Sequence, residues 1–426
     1  MEGSIFAGEE IQNVEGTNTN VKWVVGCLEE KCDAFRSARG NSKVTKVDAF
    51  DISKGKGFIS QVYKLTIHFT DNKEPFLSVL KVPGIESLYV ALDRKHSEEN
   101  DSPLNNKFAS QVHNNECNFY NNFTDIPNLK IAKCYGAVKW NLGENEGALI
   151  MDYLNSTNIE FYNGFNIYQI KNVLNEISKL QTYFLALPNQ GWTKDYKMLL
   201  TEKEFKQFSK VLLPHWEKVK TYVPAELYSG MEDEIIAMIS NNDKIVKFVF
   251  NDLPEMDGNS KCLSHGDLWH NNICFRLDIN GDVSNEVDAI IDWQMINAGS
   301  IGSDLARAVV LGCNIEVRRE CETLLLPKYY QNLKEKVIKR GGKFDMTFEM
   351  FKLNYDYCMI DQSMQLLVTF PFPLANSKIP EGSGDELWDG RKYTLGSRIV
   401  FALKDAVKCC RILKPEWLVG HIESNL

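Results

Sequence analysis

Three polar residues near the middle of the sequence have types and spacing that could do chemistry: Asp267, Asn272 and Asp292. Asp267 follows a short apolar run, Asn272 comes five positions later, and Asp292 ends a second apolar run. Aspartate and asparagine side chains offer the hard oxygen ligands that Mg²⁺ prefers, and a further aspartate can accept a proton from an attacking hydroxyl. Phosphoryl transfer needs both parts, a metal ion on the phosphates and a base at the nucleophile.

The two apolar runs flank Asn280-Gly281, a strong signal for a two-residue β-hairpin turn. A hairpin there would bring Asn272, which precedes its first strand, close to Asp292, which follows its second strand. The sequence therefore predicts one cluster of the three polar side chains. The alternative is an ordinary loop and hairpin whose polar residues cap backbone groups, which is how a lone His-Gly-Asp would be interpreted.

A glycine-containing segment, 53–60, precedes two predicted strands at 61–69 and 76–82, and the second strand carries Lys81. Such a segment can cover nucleotide phosphates with backbone N–H groups, although a plain surface turn would look the same. The sequence has no GxxxxGK[ST] motif, which argues against a P-loop nucleotide hydrolase.

Glu116 shares one face of a predicted helix with apolar residues at the positions three and four residues away. A buried carboxylate is costly unless it has a partner, and Lys81 is the candidate partner. The alternative is a glutamate at the solvent edge of an amphipathic helix.

Length and composition limit the class of protein. The chain has 426 residues, 44% hydrophobic, which is enough for a large core and more than one domain. The net charge of −9 argues against a nucleic-acid surface, and the eleven cysteines contain no CxxC pair, which is typical of free thiols in a reducing compartment. No signal peptide is apparent, and no apolar run approaches the roughly 20 residues that span a bilayer. We expect a soluble cytoplasmic protein without a transmembrane segment.

The pattern changes near Met151 to Leu154, from strands at 131–140 and 148–151 to a largely helical remainder. We therefore predict two domains, residues 1–152 and 153–426, in an α+β fold. A first helix is predicted at 21–37 and a loop at 298–302. In the second domain we predict helices over 167–180, 205–219, 231–241, 325–339, 346–369 and 395–413. Asp304 opens a further helix, where a carboxylate suits the helix dipole, so capping is its first interpretation.

Three motifs resemble those of the choline-kinase-like branch of the protein-kinase-like phosphotransferases: His265-Gly-Asp-Leu-Trp with Asn272, Ile291-Asp-Trp-Gln294, and Asp304-Leu-Ala-Arg307. Weaker matches are Gly57-Phe-Ile-Ser60, Lys81 and Glu116, all in the expected order. The resemblance is greatest to the ecdysteroid kinase-like families and their nematode relatives. It implies a protein-kinase-like two-lobed fold, with a small antiparallel-sheet lobe and a large, mainly helical lobe.

The resemblance also implies ATP and Mg²⁺ and assigns roles to residues. The adenine is expected against the linker that contains Met151 and Tyr153. The remaining roles are Asp267 as catalytic base, Asn272 and Asp292 as Mg²⁺ ligands, Lys81 paired with Glu116 as the phosphate-binding lysine, Ser60 near phosphate, and His265, Asp304 and Arg307 as supports of the catalytic loop.

Two differences between this sequence and the motifs of protein kinases indicate what kind of acceptor is phosphorylated. Gly266 replaces the arginine of their His-Arg-Asp loop, and no activation segment ending in Ala-Pro-Glu is present, which favours a small molecule over a protein. We expect an ATP-dependent kinase that phosphorylates a hydroxyl of a steroid-like or other lipophilic metabolite. Phe370, Phe372 and Trp388 lie in a Pro- and Gly-broken segment and would wall the acceptor pocket, or would only pack that segment onto helices. The alternatives are a choline- or ethanolamine-type kinase and a nucleotide-binding pseudokinase without turnover; the acceptor and the oligomeric state are left open.

Overall fold

The computed structural model describes residues 5–7, 13–53, 59–84, 105–200, 202–369 and 384–420. The chain divides into two compact units. The first unit comprises Met1–Asp125 and Ile131–Asn155, and the second comprises Ile126–Lys130 and Ser156–Leu426.

The first unit is built on a five-stranded antiparallel sheet with the strand order β1-β2-β3-β5-β4. Its strands are β1 (Val44–Asp51), β2 (Ser60–Phe69), β3 (Phe76–Pro83), β4 (Cys134–Val138) and β5 (Ala148–Asp152). Its helices are α1 (Val21–Lys31), α2 (Asp33–Arg39) and α3 (Asn106–Asn122).

One face of the sheet forms the core of this unit. Tyr63, Leu65 and Ile67 alternate along β2 and are buried, and they join the buried side of α1 in one hydrophobic cluster. The period of two residues is what a strand with one buried face requires. The alternation places Tyr63 on the buried face, whereas Val62 is only half-buried.

The helix predicted at 21–37 is two helices, because Cys32 has extended backbone angles between α1 and α2. The Sγ atom of Cys32 accepts a hydrogen bond from the N–H of Phe35, so this buried cysteine begins the second helix. Cysteine is not among the residues usually preferred at such a position, so the sequence pattern did not mark the break.

The second unit is mainly helical. Its helices are α4 (Ile167–Leu185), α5 (Glu202–Lys220), α6 (Glu232–Ser240), α7 (Asn242–Lys247), α8 (Ser303–Gly312), α9 (Ile315–Glu320), α10 (Leu326–Lys339), α11 (Phe348–Thr369) and α12 (Asp385–Leu413). Its strands are β6 (Ser156–Thr157), β7 (Lys261–Ser264), β8 (Ile273–Leu277), β9 (Val283–Ile290) and β10 (Asn297–Ser300). Helix α11 packs along both α8 and α12. The predicted α+β class, with a small antiparallel-sheet part followed by a large, mainly helical part, is confirmed.

Residues 298–302 do not form the predicted loop throughout, because strand β10 ends only at Ser300. This strand pairs antiparallel with β7, with Asn297 opposite Ser264. Its residues Asn-Ala-Gly-Ser have low strand propensity, so the ladder comes from the distant partner and not from the local pattern.

The last helix begins at Asp385 and not at Leu395, so Trp388 lies on a helix and not in a broken segment. Asp385 and Glu386 occupy its first turn, where carboxylates favour a helix start. Phe370 and Phe372, as well as the glycines at 55 and 57, lie outside the described residues. No helix in the described part of the chain has both the length and the apolar composition that crossing a membrane requires.

Candidate active site

The predicted hairpin around Asn280-Gly281 is present, since β8 and β9 pair antiparallel with Ile273 opposite Ile290. Its turn is longer than the predicted two residues, because Leu277 and Val283 are the last paired residues. Backbone bonds close the loop, since the carbonyl of Asp278 accepts the N–H of Gly281 at 3.1 Å and the N–H of Asp278 donates to the carbonyl of Asp282 at 2.8 Å. The carboxylate of Asp278 adds two bonds, from the N–H of Asn280 at 2.8 Å and from that of Asp282 at 3.0 Å.

The hairpin brings Asn272 and Asp292 to the same end. The N–H of Ile291 donates to the carbonyl of Asn272 at 3.0 Å, so Asp292 is the residue that follows this bond. Asp292 has a left-handed backbone, with φ of 67° and ψ of 57°. A non-glycine residue in this region costs about 1 kcal/mol or more, and such strain is often found at functional sites.

Asp267 and Asn272 are joined directly. Nδ2 of Asn272 donates to the carbonyl oxygen of Asp267 at 2.8 Å and to its Oδ2 at 3.1 Å. Both partners accept only, so the amide atom that faces them must be the nitrogen. The amide oxygen of Asn272 therefore takes no part in this contact. The structure thus brings together the three polar residues that the spacing predicted as one cluster.

Asp304 anchors the loop that carries Asp267. Its carboxylate accepts the N–H of His265 at 2.7 Å and that of Gly266 at 3.0 Å. It does not cap its own helix, since no side-chain capping bond is formed at the start of α8. Burial raises the pKa of Asp304, while the two N–H bonds and the charge of Arg307 act in the opposite direction.

His265 and Gly266 fix the shape of the same loop. Nδ1 of His265 accepts the N–H of Asp267 at 3.2 Å, so its proton lies on Nε2, which donates to the carbonyl of Ile291 at 3.0 Å. Gly266 has a φ of +79°, and a Cβ atom there would lie 2.3 Å from the carbonyl oxygen of Met295. Only glycine fits this position without a shift of the backbone.

Arg307 contacts Asp267 from helix α8. Its Nε donates to Oδ1 of Asp267 at 3.0 Å, and its Nη1 donates to Oε1 of Gln362 at 2.9 Å. The sequence suggested Arg307 as a support of the loop, but it gave no sign of Gln362 or of the neighbouring Asp361. Helix α11 is buried on most sides, so no polar face marks these two residues.

In the first unit, Lys81 and Glu116 form the predicted ion pair. Nζ of Lys81 lies 2.6 Å from Oε2 of Glu116, and the two side chains are 10% and 1% exposed. Lys81 stands on β3 opposite Leu149 of β5. Ser60 begins β2, where it is buried and opposite Pro83.

His113 lies one turn before Glu116 on α3 and holds this helix to the sheet. Its Nε2 is 2.8 Å from the carbonyl oxygen of Val138 on β4. Burial lowers the pKa of His113 to about 4, and the charge of Lys81 adds to the lowering. His113 is therefore neutral near pH 7, so it places no second positive charge near Lys81.

Met151 and Tyr153 lie at the end of β5 and just after it. The carbonyl of Met151 accepts a hydrogen bond from Oγ of Ser78 at 2.7 Å. The ring of Tyr153 has Nζ of Lys64 at 4.8 Å from its centroid. Both residues belong to the first unit, as the segment through Asn155 does.

Trp388 is 6% exposed, which leaves little of its ring for a ligand in this structure. The guanidinium carbon of Arg391 lies 5.6 Å from the centroid of the Trp388 ring and 3.9 Å from the centroid of the Tyr162 ring. The described contacts of Trp388 are therefore with its own unit, and its part in an acceptor pocket stays a prediction.

The chain belongs to the family DUF1679, described as "Uncharacterized oxidoreductase dhs-27", whose model matches residues 29–391. It is similar to the Caenorhabditis elegans protein "Uncharacterized oxidoreductase dhs-27", with 26% identity over 84% of this chain and 43% of that protein. It is also similar to the "Uncharacterized kinase-like protein D1044.1" of Caenorhabditis elegans, with 22% identity over 76% of this chain and 83% of that protein. The chain thus spans less than half of the first relative, and the predicted likeness to nematode proteins is confirmed.

Among solved structures, the chain is similar to choline kinase from Cryptosporidium parvum Iowa II, with 11% identity, a TM-score of 0.47, and coverage of 94% of this chain and 98% of that one. Aminoglycoside phosphotransferases and an ethanolamine kinase also match, with a TM-score of 0.41 for the ethanolamine kinase. These proteins are of the group that the motifs resemble. The closer likeness to ecdysteroid kinase-like families stays a prediction.

Proposed function

We propose that the protein is an ATP-dependent kinase that transfers the γ-phosphoryl group to a hydroxyl of a small organic molecule. The observation that carries the proposal is the cluster of Asp267, Asn272 and Asp292 at one end of the β8–β9 hairpin. The cluster combines a carboxylate that can take a proton with two side chains that offer oxygen ligands.

In the proposed reaction Asp267 is the general base. It takes the proton of the acceptor hydroxyl while that oxygen forms a bond to the γ-phosphorus. The bond between the γ-phosphorus and its bridging oxygen breaks, and ADP leaves with the electron pair. Such a base contributes about 10²- to 10⁴-fold to the rate.

The residues fit a Mg²⁺ ion. Mg²⁺ is usually held by one or two protein oxygen ligands together with phosphate oxygens, and it neutralises charge that develops on the phosphates. Asn272 would offer its amide oxygen, since its nitrogen is directed at Asp267, and Asp292 would offer its carboxylate. No group of three His, Cys, Asp or Glu side chains in the described ranges is arranged to hold a metal alone, which agrees with a site completed by phosphate.

Lys81 is the proposed phosphate-binding residue of the first unit. Its 2.6 Å ion pair with Glu116 holds the ammonium group at the sheet, and its 10% exposure leaves part of it accessible. Ser60, Met151 and Tyr153 are proposed to contact the nucleotide, each from its place in the first unit. The presence of Lys81, Asp267, Asn272 and Asp292 argues against a pseudokinase.

A lipophilic, steroid-like acceptor is proposed from the sequence resemblance alone, and amino alcohols are the alternative acceptors. The first relative is named an oxidoreductase, but this chain matches only 43% of that protein's length. The sequence carries no G-x-G-x-x-G fingerprint for a dinucleotide, whereas it carries the residues proposed for phosphoryl transfer.

The test is a screen of hydroxylated small molecules, including sterols and amino alcohols, with ATP and Mg²⁺ and with ADP release as the readout. Asp267→Asn is the inactive comparison, and Asp288→Asn, on β9 outside the cluster, is the matched control. We expect ADP release by the wild type and by Asp288→Asn but not by Asp267→Asn. ADP release that is equal in all three proteins, or consumption of NADH or NADPH by the wild type without ADP release, contradicts the proposal.

A further inference from the structure

Asp267 is held by an arginine whose other contacts lie deep in the second unit. Nε of Arg307 donates to Oδ1 of Asp267 at 3.0 Å, and Nη2 of the same guanidinium donates to the same oxygen. The two side chains are 14% and 23% exposed, so the pair is largely withdrawn from solvent. Charge-assisted hydrogen bonds of this kind are about twice as strong as neutral ones.

Arg307 is itself fixed by a buried relay on helix α11. Its Nη1 donates to Oε1 of Gln362 at 2.9 Å, and Nε2 of Gln362 donates to Oδ2 of Asp361 at 2.7 Å. Asp361 is fully buried, and Gln362 is 6% exposed. Because a guanidinium only donates and a carboxylate only accepts, the amide of Gln362 has a single orientation that satisfies both neighbours.

The two carboxylate oxygens of Asp267 are therefore unequal. Oδ1 accepts two N–H bonds from Arg307, whereas Oδ2 accepts one bond, from Nδ2 of Asn272 at 3.1 Å. A carboxylate has about two acceptor positions on each oxygen. Oδ2 thus keeps one position for a proton donor, and the acceptor positions of Oδ1 are taken.

We infer that Arg307 is a positioning residue that makes Oδ2 of Asp267 the oxygen which takes the proton of the acceptor hydroxyl. Gln362, anchored by Asp361, keeps Arg307 in this orientation. The inference rests on the proposed kinase function and assigns an atom to its proton transfer. The proton moves from the hydroxyl to Oδ2, the hydroxyl oxygen bonds to the γ-phosphorus, and ADP leaves with the electrons of the broken bond.

Arg307 could instead have a purely structural role, in which its bonds to Asp267 only connect the loop to α8. Loss of a purely structural contact would lower the fraction of folded protein but would leave the turnover of each folded molecule unchanged. A positioning role lowers kcat and leaves nucleotide binding intact. Arg307→Lys separates the two roles, because lysine keeps the positive charge but cannot supply two N–H bonds in a fixed plane.

The variants are Arg307→Lys and Gln362→Leu. The matched control is Arg318→Lys, at another buried arginine that pairs with Glu322 and Asp405 away from the loop. For each protein we would measure MgATP affinity by calorimetry, kcat and KM with the acceptor found in the screen, and the orientation of the Asp267 carboxylate in a crystal structure. Crystals of the wild type and of Gln362→Leu give the second readout, which does not depend on activity.

We expect kcat to fall about 10- to 100-fold in both variants, as a displaced catalytic group would cause. The affinity for MgATP and the KM for the acceptor should change less than twofold, and Arg318→Lys should keep the wild-type kcat. In the crystals of Gln362→Leu, the Asp267 carboxylate should turn away from its wild-type orientation. An unchanged kcat in Arg307→Lys, or an unmoved carboxylate in Gln362→Leu, overturns the inference. A wild type without any turnover defeats the proposed function, and the crystal structures then still decide whether Arg307 and Gln362 orient Asp267.

Discussion

Lys81 and Glu116 lie 2.6 Å apart, with the glutamate side chain only 1% exposed. A carboxylate so deeply buried needs its cation, because breaking such a pair from one side leaves an uncompensated charge and costs about 3 to 5 kcal/mol. The ion pair joins strand β3 to helix α3, so a substitution of either residue changes the electrostatic environment of the other.

We predict that Lys81→Met and Glu116→Gln have non-additive effects on ATP affinity. The coupling in a double-mutant cycle should reach about 1 kcal/mol or more, since the two side chains are in direct contact. Calorimetric titration of ATP into the wild type, both single variants and the double variant measures it. The Lys179–Glu176 pair, on helix α4, offers a control in which both changes should leave ATP affinity unaltered. Additive losses would leave Glu116 without a part in nucleotide binding.

The features that sequence reasoning found are those set by local spacing. The helical face of Glu116, the hairpin around Gly281 and the polar residues at its ends all follow from periodicities within about twenty residues. The longer turn at 278–282 was missed because its backbone bonds join Asp278 to Gly281 and Asp282, and the carboxylate of Asp278 adds two bonds to the same turn. Its chemistry is local, but an Asn-Gly pair gives the stronger signal.

The features that were missed depend on distant partners. Strand β10 exists because β7 pairs with it, and the relay from Arg307 to Gln362 joins residues 55 positions apart. A polar residue inside a helix that is buried on most sides looks like an exception to the pattern until its partner is known. Such exceptions are expected where function and folding compete.

Asp292→Ala should weaken ATP binding more with Mg²⁺ than without it. The left-handed backbone of Asp292 and its place beside Asn272 suggest that the carboxylate has a role beyond the fold. We expect at least a tenfold loss of affinity in Mg²⁺, or about 1.4 kcal/mol, and a smaller loss in EDTA. Titrations in both conditions measure the difference, with Asp288→Ala as the control. Equal losses with and without Mg²⁺ would make Asp292 a structural residue.

Gly266→Ala should disrupt the loop that carries Asp267. Its φ is +79°, and the new Cβ would lie 2.3 Å from a backbone oxygen of Met295. Gly281→Ala is the matched control, because its φ is +83° but nothing lies within 4 Å of the new atom. The control should cost only the backbone strain of about 1 to 2 kcal/mol. We expect Gly266→Ala to lose more stability than this in urea unfolding, and to lose activity even where it remains folded. Equal losses of stability in the two variants would show that the loop carrying Asp267 can shift to accommodate the new Cβ atom at no further cost.

Asp361 should make the protein less stable at alkaline than at mildly acidic pH. Burial raises its pKa from 3.8 to about 6, while Gln365, Arg307 and Gln362 act in the opposite direction. A raised pKa in the folded state means that the ionised group costs stability at high pH, and that this cost declines as the pH falls through 6 towards 3.8. A pKa of about 6 in place of 3.8 corresponds to a cost of about 3 kcal/mol at pH 8 and about half of that at pH 5.

Asp361→Asn should therefore stabilise the protein at pH 8, by up to about 3 kcal/mol, and clearly less at pH 5. Urea unfolding at the two pH values measures the change. Asp405→Asn is a control of opposite sign: burial would raise the pKa of Asp405, but Arg318 and its other cationic neighbours lower it, so its loss should destabilise the protein at pH 8. An Asp361→Asn variant that is more stable but turns over more slowly would mean that the buried carboxylate serves activity, by fixing Gln362 and Arg307, at a cost in stability. Functional sites commonly show this trade-off. A variant that is no more stable at pH 8 than at pH 5, relative to the wild type, would show that Asp361 carries no charge penalty in the folded protein.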